Sequence, residues 1–316
     1  MTFSGEASII VPSRGGALRL PILLSALSRQ DSDDFEVIVV VDGDIDNSAG
    51  VLRRLTVEHP AMALRTIVFP ENRGRAAALN AGAAAAQGRV LIRSDDDLEP
   101  SPNYVRCHVS QHQGELAGVV GMCRNVFPET AYARVYGRAA DERFRSDALA
   151  TNHNDQWRYW AGNVSVLKEV HERLGGYDER YRAYGWEDVD FGYRLKKMGI
   201  PVRIHPSLTT AHHVAATTTG VRAIRALHSG AAREIFVAKH GPEPLAASPQ
   251  GPSLWSTLVA MASAIATERT IKAGGSAIDV AAAVLPGRLA EKLVALVVES
   301  AGRAGIAHPH RARTHF

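Results

Sequence analysis

The sequence predicts an α/β protein with a mostly parallel sheet flanked by helices and a helical C-terminal extension. Three observations carry that reading. Short β-branched runs alternate with Ala- and Leu-rich stretches through the first hundred residues, the rhythm of βαβ units. The strand-like runs are continuously apolar, as strands buried on both faces require. Past a Pro- and Gly-rich break beginning at Gly241, the composition turns Ala-rich and helical.

Taken in order, 8–11 (SIIV) reads as a strand stopped at Pro12, and 18–27 as a helix that accepts Pro21 in its first turn. Residues 36–41 (EVIVVV) read as a central strand ending at the turn dipeptide Asp42-Gly43. A helix at 51–59, a strand at 64–69, an Ala-dense helix at 74–87 and a strand at 90–93 follow. In the second half, 116–122 and 164–167 read as strands, 188–198 as a helix, and 202–205 and 208–213 as short extended pieces. Residues 223–239 form an amphipathic helix pattern, and 254–272, 277–284 and 288–304 three more helical segments before a basic tail, HPHRARTHF. Three regions are expected: a ligand-binding half over 1–115, a second half of the same domain over 116–241, and the extension over 242–316.

Composition narrows the function classes. Thirty-six Lys and Arg against 33 Asp and Glu give +3, too even a balance for a nucleic-acid face. Two cysteines, Cys107 and Cys123, make no disulfide framework and suit a reducing cytosol; both are expected as core thiols. No apolar run reaches the ~18 residues a bilayer span needs, and the first ten residues lack the plan of a signal peptide. The expectation is a cytoplasmic protein, or one attached peripherally to a membrane, with no nucleic-acid partner and no transmembrane segment.

Four clusters bear chemistry. Asp95-Asp96-Asp97 follows a predicted parallel strand, where open α/β sheets put their ligands. Three adjacent acids repel one another and call for a compensating cation; oxygen ligands suit Mg²⁺ or Mn²⁺. Read blandly, the trio is a solvated turn. Gly185-Trp186-Glu187-Asp188-Val189-Asp190 opens a helix; capping explains one acid well and three poorly. An aromatic face beside two carboxylates has the makings of a sugar site. His212-His213 ends a short strand, and a neutral imidazole meeting the Asp loop would complete a mixed N/O metal site. Asn72-Arg73-Gly74-Arg75 makes a tight loop opening a helix, suited to an anion or a base. Neither a dinucleotide-binding glycine fingerprint nor a P-loop is present.

The order of these pieces is more specific than any one of them. SIIVPSRG, VVVDGDIDNS, ENRGRAAALNAG, SDDDLEP, AGNVSVLKEVHERLGGYDERY and GWEDVDFGYRLKKMG occur in succession. That succession, over about residues 7–241, resembles glycosyltransferase family 2 with the GT-A fold.

The resemblance implies a nucleoside-diphosphate sugar donor, a UDP-sugar in the first instance, and single-displacement transfer with inversion onto a glycan or small-molecule acceptor. It implies that Pro12, Ser13 and Arg14 border the nucleotide, that Asp42 contacts base or ribose, and that Asn72 and Gly74 close over the base. Val41 and Asp44 depart from the family's frequent Asp-Asp-Gly-Ser pattern, which bears on base specificity. Asp95 and Asp97 match the outer members of the Asp-x-Asp motif, with Asp96 beside the nucleotide and Asp97 as direct ligand of Mn²⁺ or Mg²⁺. His212 or His213 would complete the metal shell, with His213 favoured. Asp188 is the expected general base and Glu187 the holder of the acceptor. Trp186 would floor the pocket, and Gly162 and Asn163 would touch the donor sugar. Asp190 with Arg194, and Tyr177-Asp178-Glu179, read as structural. Rival readings are a sugar nucleotidyltransferase, for which PSRGGALRL is a poor phosphate loop, and a silent GT-A-like binding module. The C-terminal helices are expected to pack or to join two subunits as a homodimer.

Overall fold

The computed structural model describes residues 5–182, 185–245 and 253–312. Its first hundred residues run β1 (Ala7–Ser13), α1 (Leu20–Leu27), β2 (Phe35–Asp42), α2 (Ser48–Glu58), β3 (Ala63–Phe69), α3 (Arg75–Ala85) and β4 (Val90–Ser94), each within a few residues of expectation. Then come β5 (Leu98–Glu99), α4 (Tyr104–Ser110), β6 (Gly118–Val120), β7 (Cys123–Asn125), α5 (Arg138–Ala150), β8 (Asn163–Leu167) and α6 (Lys168–Leu174). The chain continues through α7 (Glu187–Lys197), β9 (Val202–Ile204), β10 (Thr210–His212) and α8 (Thr219–His240), then α9 (Leu254–Ile265), α10 (Glu268–Ala281) and α11 (Gly287–Ala307).

Seven strands form one sheet in the order β3-β2-β1-β4-β8-β6-β9. The first four are parallel, and β8 alone runs antiparallel to both its neighbours. Every residue of β1, β2 and β4 is buried, which is why these strands are apolar without alternation. The one acid in β2, Glu36, is satisfied by the Ser8 hydroxyl at 2.8 Å, the Gln87 amide at 2.7 Å and Arg65 at 3.0 Å. The Ala-dense face of α3 lies against β1 and β2.

A second, three-stranded sheet has the order β5-β10-β7, with β10 antiparallel to β5 and parallel to β7. Its strands are two or three residues long, too short to show a period, and the sequence revealed only the stretch containing β10. It sets the register of the candidate site.

The chain divides into two compact units, and the division differs from the expected regions. One holds 1–126, 145–179 and 187–214; the other holds 127–144, 180–186 and 215–316. Helix α8 therefore belongs with the C-terminal helices rather than with the sheet. In the second unit Leu227 of α8 shares a core with Ile271, Val294 and Val298. Helices α8 and α11 cross backbone to backbone: a Cβ on Gly305 would fall 2.0 Å from the Leu227 carbonyl oxygen. The single helix expected over 254–272 is two. Thr267 breaks it, because its side chain accepts the Thr270 amide and caps α10. Of the expected linker, residues 246–252 lie outside the described residues, as do 313–316 of the basic tail. Cys107 and Cys123 are half-buried rather than core.

Candidate active site

The acid loop leaves β4 at the carboxyl end of the parallel strands, and each of its three aspartates meets a different partner. Asp96 turns inward, 6 % exposed, where it accepts the Ser13 hydroxyl at 2.6 Å and both Arg19 Nε and Nη2 at 2.8 Å. Burial pushes its carboxyl above the usual range although Arg19 opposes the shift. Asp96 and Ser13 thus hold the loop to β1, and Pro12 is buried within β1 itself.

Asp95 lies against Arg93, a residue of β4 that is 4 % exposed. Arg93 Nε donates to Asp95 Oδ1 at 3.0 Å and Nη2 approaches Oδ2 at 3.4 Å. Burial works against its charge, but Arg93 and Arg75 hold the carboxyl below its ordinary value. Gly162 borders Asp95: its carbonyl accepts the Asp95 amide at 2.9 Å, and a Cβ there would fall 2.3 Å from Asp95 Oδ2. No other residue fits without displacing the carboxylate.

Asp97 is different. The small sheet pairs His212 with Leu98 on one side and with Asn125 on the other, and the His213 amide donates to the Asp97 carbonyl at 2.9 Å. That register brings His212 Nε2 to 3.0 Å from Asp97 Oδ2, while His212 Nδ1 donates to Asn125 Oδ1 at 2.6 Å. The imidazole thus lies between a side-chain amide and the Asp97 carboxylate. Asp97 Oδ1 is buried with no hydrogen-bond partner. Arg93 serves Asp95 and Arg19 serves Asp96, but no arginine or lysine among the described residues bonds to Asp97.

Of the two histidines it is His212 that meets Asp97, whereas His213 Nε2 pairs with Glu99 at 2.7 Å. Among the described residues no cluster of three or more His, Cys, Asp or Glu is gathered to hold a metal. Asp95 is held by Arg93, which leaves Asp97 and His212. A carboxylate and an imidazole are donors a divalent cation such as Mn²⁺ or Mg²⁺ would accept, and these two residues are the ones that would hold it.

The second cluster opens α7. Glu187 is 2 % exposed; Arg75 donates to its Oε1 at 3.1 Å, and its Oε2 is buried without a partner. Asp188 bonds Arg93 Nη1, so Arg93 bridges Asp188 to Asp95. Burial pushes the Asp188 carboxyl up to about 7, with Arg93 pulling it down and Glu187 and Asp95 pushing it further. A carboxyl poised there suits proton acceptance near neutral pH. Trp186, in the left-handed region at φ 68°, belongs to the helical unit: its indole N–H donates to Ser229 Oγ at 3.2 Å and its ring tilts against Phe236 at 5.3 Å.

The remaining expectations divide. Both Asp42 oxygens are taken by loop amides, Arg73 at 2.6 Å and Gly74 at 2.9 Å, and Arg14 donates to the Asp42 carbonyl at 2.9 Å. Asp42 thus clasps the Asn72–Gly74 loop. Asn163, expected at the donor sugar, is fully buried. Its amide nitrogen donates to the Leu208 carbonyl at 2.8 Å and to Thr210 Oγ1 at 3.1 Å, and its oxygen accepts from Tyr104 at 3.1 Å. Asp190 with Arg194, at 2.6 Å, is structural as expected. Sequence reasoning missed Arg19, Arg93 and Asn125, and it singled out Arg75 for the anion loop without foreseeing its bond to Glu187. Arg93 carried a signal: a charge inside the apolar strand VLIRS needs a buried partner.

Comparisons with known proteins bear on the whole arrangement. Residues 8–174, more than half the chain, match the model of glycosyl transferase family 2. The chain belongs to that family. Residues 147–217 also match the N-terminal domain of galactosyltransferase. Among curated members of glycosyltransferase family 2, a validoxylamine A glucosyltransferase of Streptomyces hygroscopicus is 28 % identical over 230 residues, 62 % of this chain and 53 % of the relative. An uncharacterized glycosyltransferase of Bacillus subtilis is 26 % identical over 258 residues, 66 % of this chain and 64 % of the relative. The chain thus spans about half to two-thirds of the length of these relatives. A solved mannosyltransferase of Pyrobaculum calidifontis, in complex with GDP-Man and Mn²⁺, superposes with TM-score 0.61 at 19 % identity over 96 % of this chain and 88 % of that one. TarS of S. aureus, in complex with UDP-GlcNAc, does so with TM-score 0.51 at 14 % identity, over 95 % and 92 %. These likenesses establish the GT-A fold. No helix among the described residues is long and apolar enough to cross a membrane.

Proposed function

We propose that the chain is a metal-dependent glycosyltransferase that moves a sugar from a nucleoside diphosphate to an acceptor hydroxyl or amine with inversion. The carrying observation is Asp97: one oxygen lies 3.0 Å from His212 Nε2 and the other is buried without a hydrogen-bond partner, at the carboxyl end of β4. Asp97 with His212 would hold Mn²⁺ or Mg²⁺, which would supply Lewis-acid stabilisation to a departing diphosphate. The nucleotide-sugar complexes of the two fold neighbours support this choice of donor class.

The chain's own residues do the rest. The Asn72–Gly74 loop, clasped by Asp42, lies at the start of α3 and borders the nucleotide with Arg14. Glu187 Oε2 accepts a hydrogen bond from the acceptor, filling the valence the protein leaves open. Asp188 takes the acceptor's proton as that atom attacks the anomeric carbon. The anomeric C–O bond to the diphosphate breaks on the opposite face, so one displacement inverts the centre. Proton transfer lags bond cleavage, and a carboxyl near 7 is sufficient base.

The test is hydrolysis of UDP- and GDP-sugars with Mn²⁺, followed by nucleotide release. Turnover of one donor, lost with EDTA and restored by Mn²⁺, supports the reading. A protein that binds neither donor nor nucleoside diphosphate in Mn²⁺ contradicts it.

A further inference from the structure

A charged residue spanning the two acid clusters has no role in the account so far. Arg93 sits in β4 between Ile92 and Ser94, on a strand of which every residue is buried. Its guanidinium uses three nitrogens: Nε and Nη2 on Asp95, Nη1 on Asp188. The carbon at its centre lies 5.8 Å from the ring of Tyr177, whose hydroxyl accepts the Trp160 indole N–H at 3.0 Å. Tyr177 is tied in turn to α3, its amide donating to Asn80 Oδ1 at 2.8 Å and its carbonyl accepting from Asn80 Nδ2 at 2.9 Å. The floor under the guanidinium is therefore fixed on two sides.

We propose that Arg93 is the positioning residue of the reaction: it fixes the Asp188 carboxylate to the strand that carries the acid loop, so that base and cation seat keep one geometry. This rests on the reading of Asp188 as the base. A planar fork is needed for the task. A lysine ammonium reaches one carboxylate or the other, whereas the guanidinium addresses Asp95 with one edge and Asp188 with a remaining N–H. Arg93 is too buried to serve as a surface ion pair, and a buried charge of this kind is costly unless every partner is in place. The alternative cation, Arg75, is engaged with Glu187. Around Asp188 the charged and titratable groups are Arg93 from β4, Asp95 from the acid loop, Arg75 from α3 and Glu187 from α7. Tyr177 also lies near, its hydroxyl kept neutral by burial, which pushes it up to about 12. Of the two cations Arg93 exerts the stronger pull on Asp188, so its removal lets burial and the neighbouring acids act unopposed.

The experiment compares wild type, Arg93→Met and Arg93→Lys in full-length protein. Donor hydrolysis is measured as kcat and KM against pH, and Asp188 is titrated by carboxyl ¹³C NMR assigned with Asp188→Asn. For Arg93→Met, the Asp188 midpoint and the acid limb of kcat/KM are expected to rise by at least one pH unit, with activity partly recovered at high pH. For Arg93→Lys, which keeps a charge at the site, kcat is expected to fall at least tenfold with donor KM within threefold. Should Arg93→Met not fold, Arg93→Lys alone decides: wild-type kcat with an unmoved Asp188 midpoint overturns the proposal. An unmoved midpoint in Arg93→Met also overturns it. A wild type that hydrolyses no donor, yet whose Asp188 midpoint rises in Arg93→Met, retains the positioning role and removes the proposed reaction instead.

Discussion

Asp95 and Asp97 stand two residues apart on one loop, and the protein treats them in opposite ways. Asp95 is clamped by a buried arginine that also reaches Asp188, so both carboxylates meet a cation from within the chain. Asp97 meets an imidazole and is left with a bare buried oxygen. A folded protein rarely leaves a buried carboxylate oxygen unsatisfied, because each such group costs about 1–3 kcal/mol. In the proposed reaction the contrast separates two tasks: one carboxylate helps hold the base, and the other is kept short of positive charge for a ligand to supply.

Substitutions at the two ends of the contrast should differ in kind. Asp188→Asn removes the proton acceptor and is expected to lower kcat by about 10³-fold while leaving nucleoside-diphosphate affinity within threefold, checked by hydrolysis rates and calorimetry. Asp97→Asn should lower turnover by about 10²-fold or more and also weaken metal-dependent nucleotide binding. If both variants lose kcat alone, the separation of tasks is wrong.

The histidine doublet offers a finer cut. His212→Ala is expected to raise the Mn²⁺ concentration needed for half-maximal turnover by about tenfold, as losing one ligand does, whereas His213→Ala should change it less than twofold. Equal effects would break the Asp97–His212 assignment.

The pH profile sharpens the base. With Asp188 at about 7, and the ionised form the active one, kcat/KM should fall tenfold per pH unit below 7, read from initial rates between pH 5 and 9.

The smallest expected effect lies behind the site. His108, His112 and His171 are buried, and burial lowers them to about 3, about 4 and about 4 from 6.5. Below 6.5 the unfolded chain therefore binds protons that the native state refuses. Stability is complete above that pH and declines as the pH falls, by up to about 1.4 kcal/mol per pH unit for each histidine. Urea unfolding at pH 7.5 and 5.5 checks the sign.

How much of this was legible follows from the same physics. β1, β2 and β4 were readable because burial on both faces leaves an unbroken apolar signature, and the acid loop because it directly follows one of them. The convergence of Asp97 and His212 was foreseen as chemistry but not as register, since strands of two and three residues such as β5 and β10 carry no period. Asp96 could not be told from its neighbours without Arg19, which comes from the start of α1 and is 77 positions away. Helix α5 went unread because its sequence, RAADERFRSDALA, is polar nearly all round. The direction of Trp186 was not legible, because aromatic adjacency to acids says nothing about it when the backbone turns through positive φ at Gly185 and Trp186.

Calorimetric titration of Mn²⁺ into the protein with saturating UDP or GDP tests the division between the two carboxylates most directly. The account predicts one Mn²⁺ per chain in the wild type and in Asp188→Asn, and at least tenfold weaker binding in Asp97→Asn. Undiminished Mn²⁺ binding in Asp97→Asn would contradict it.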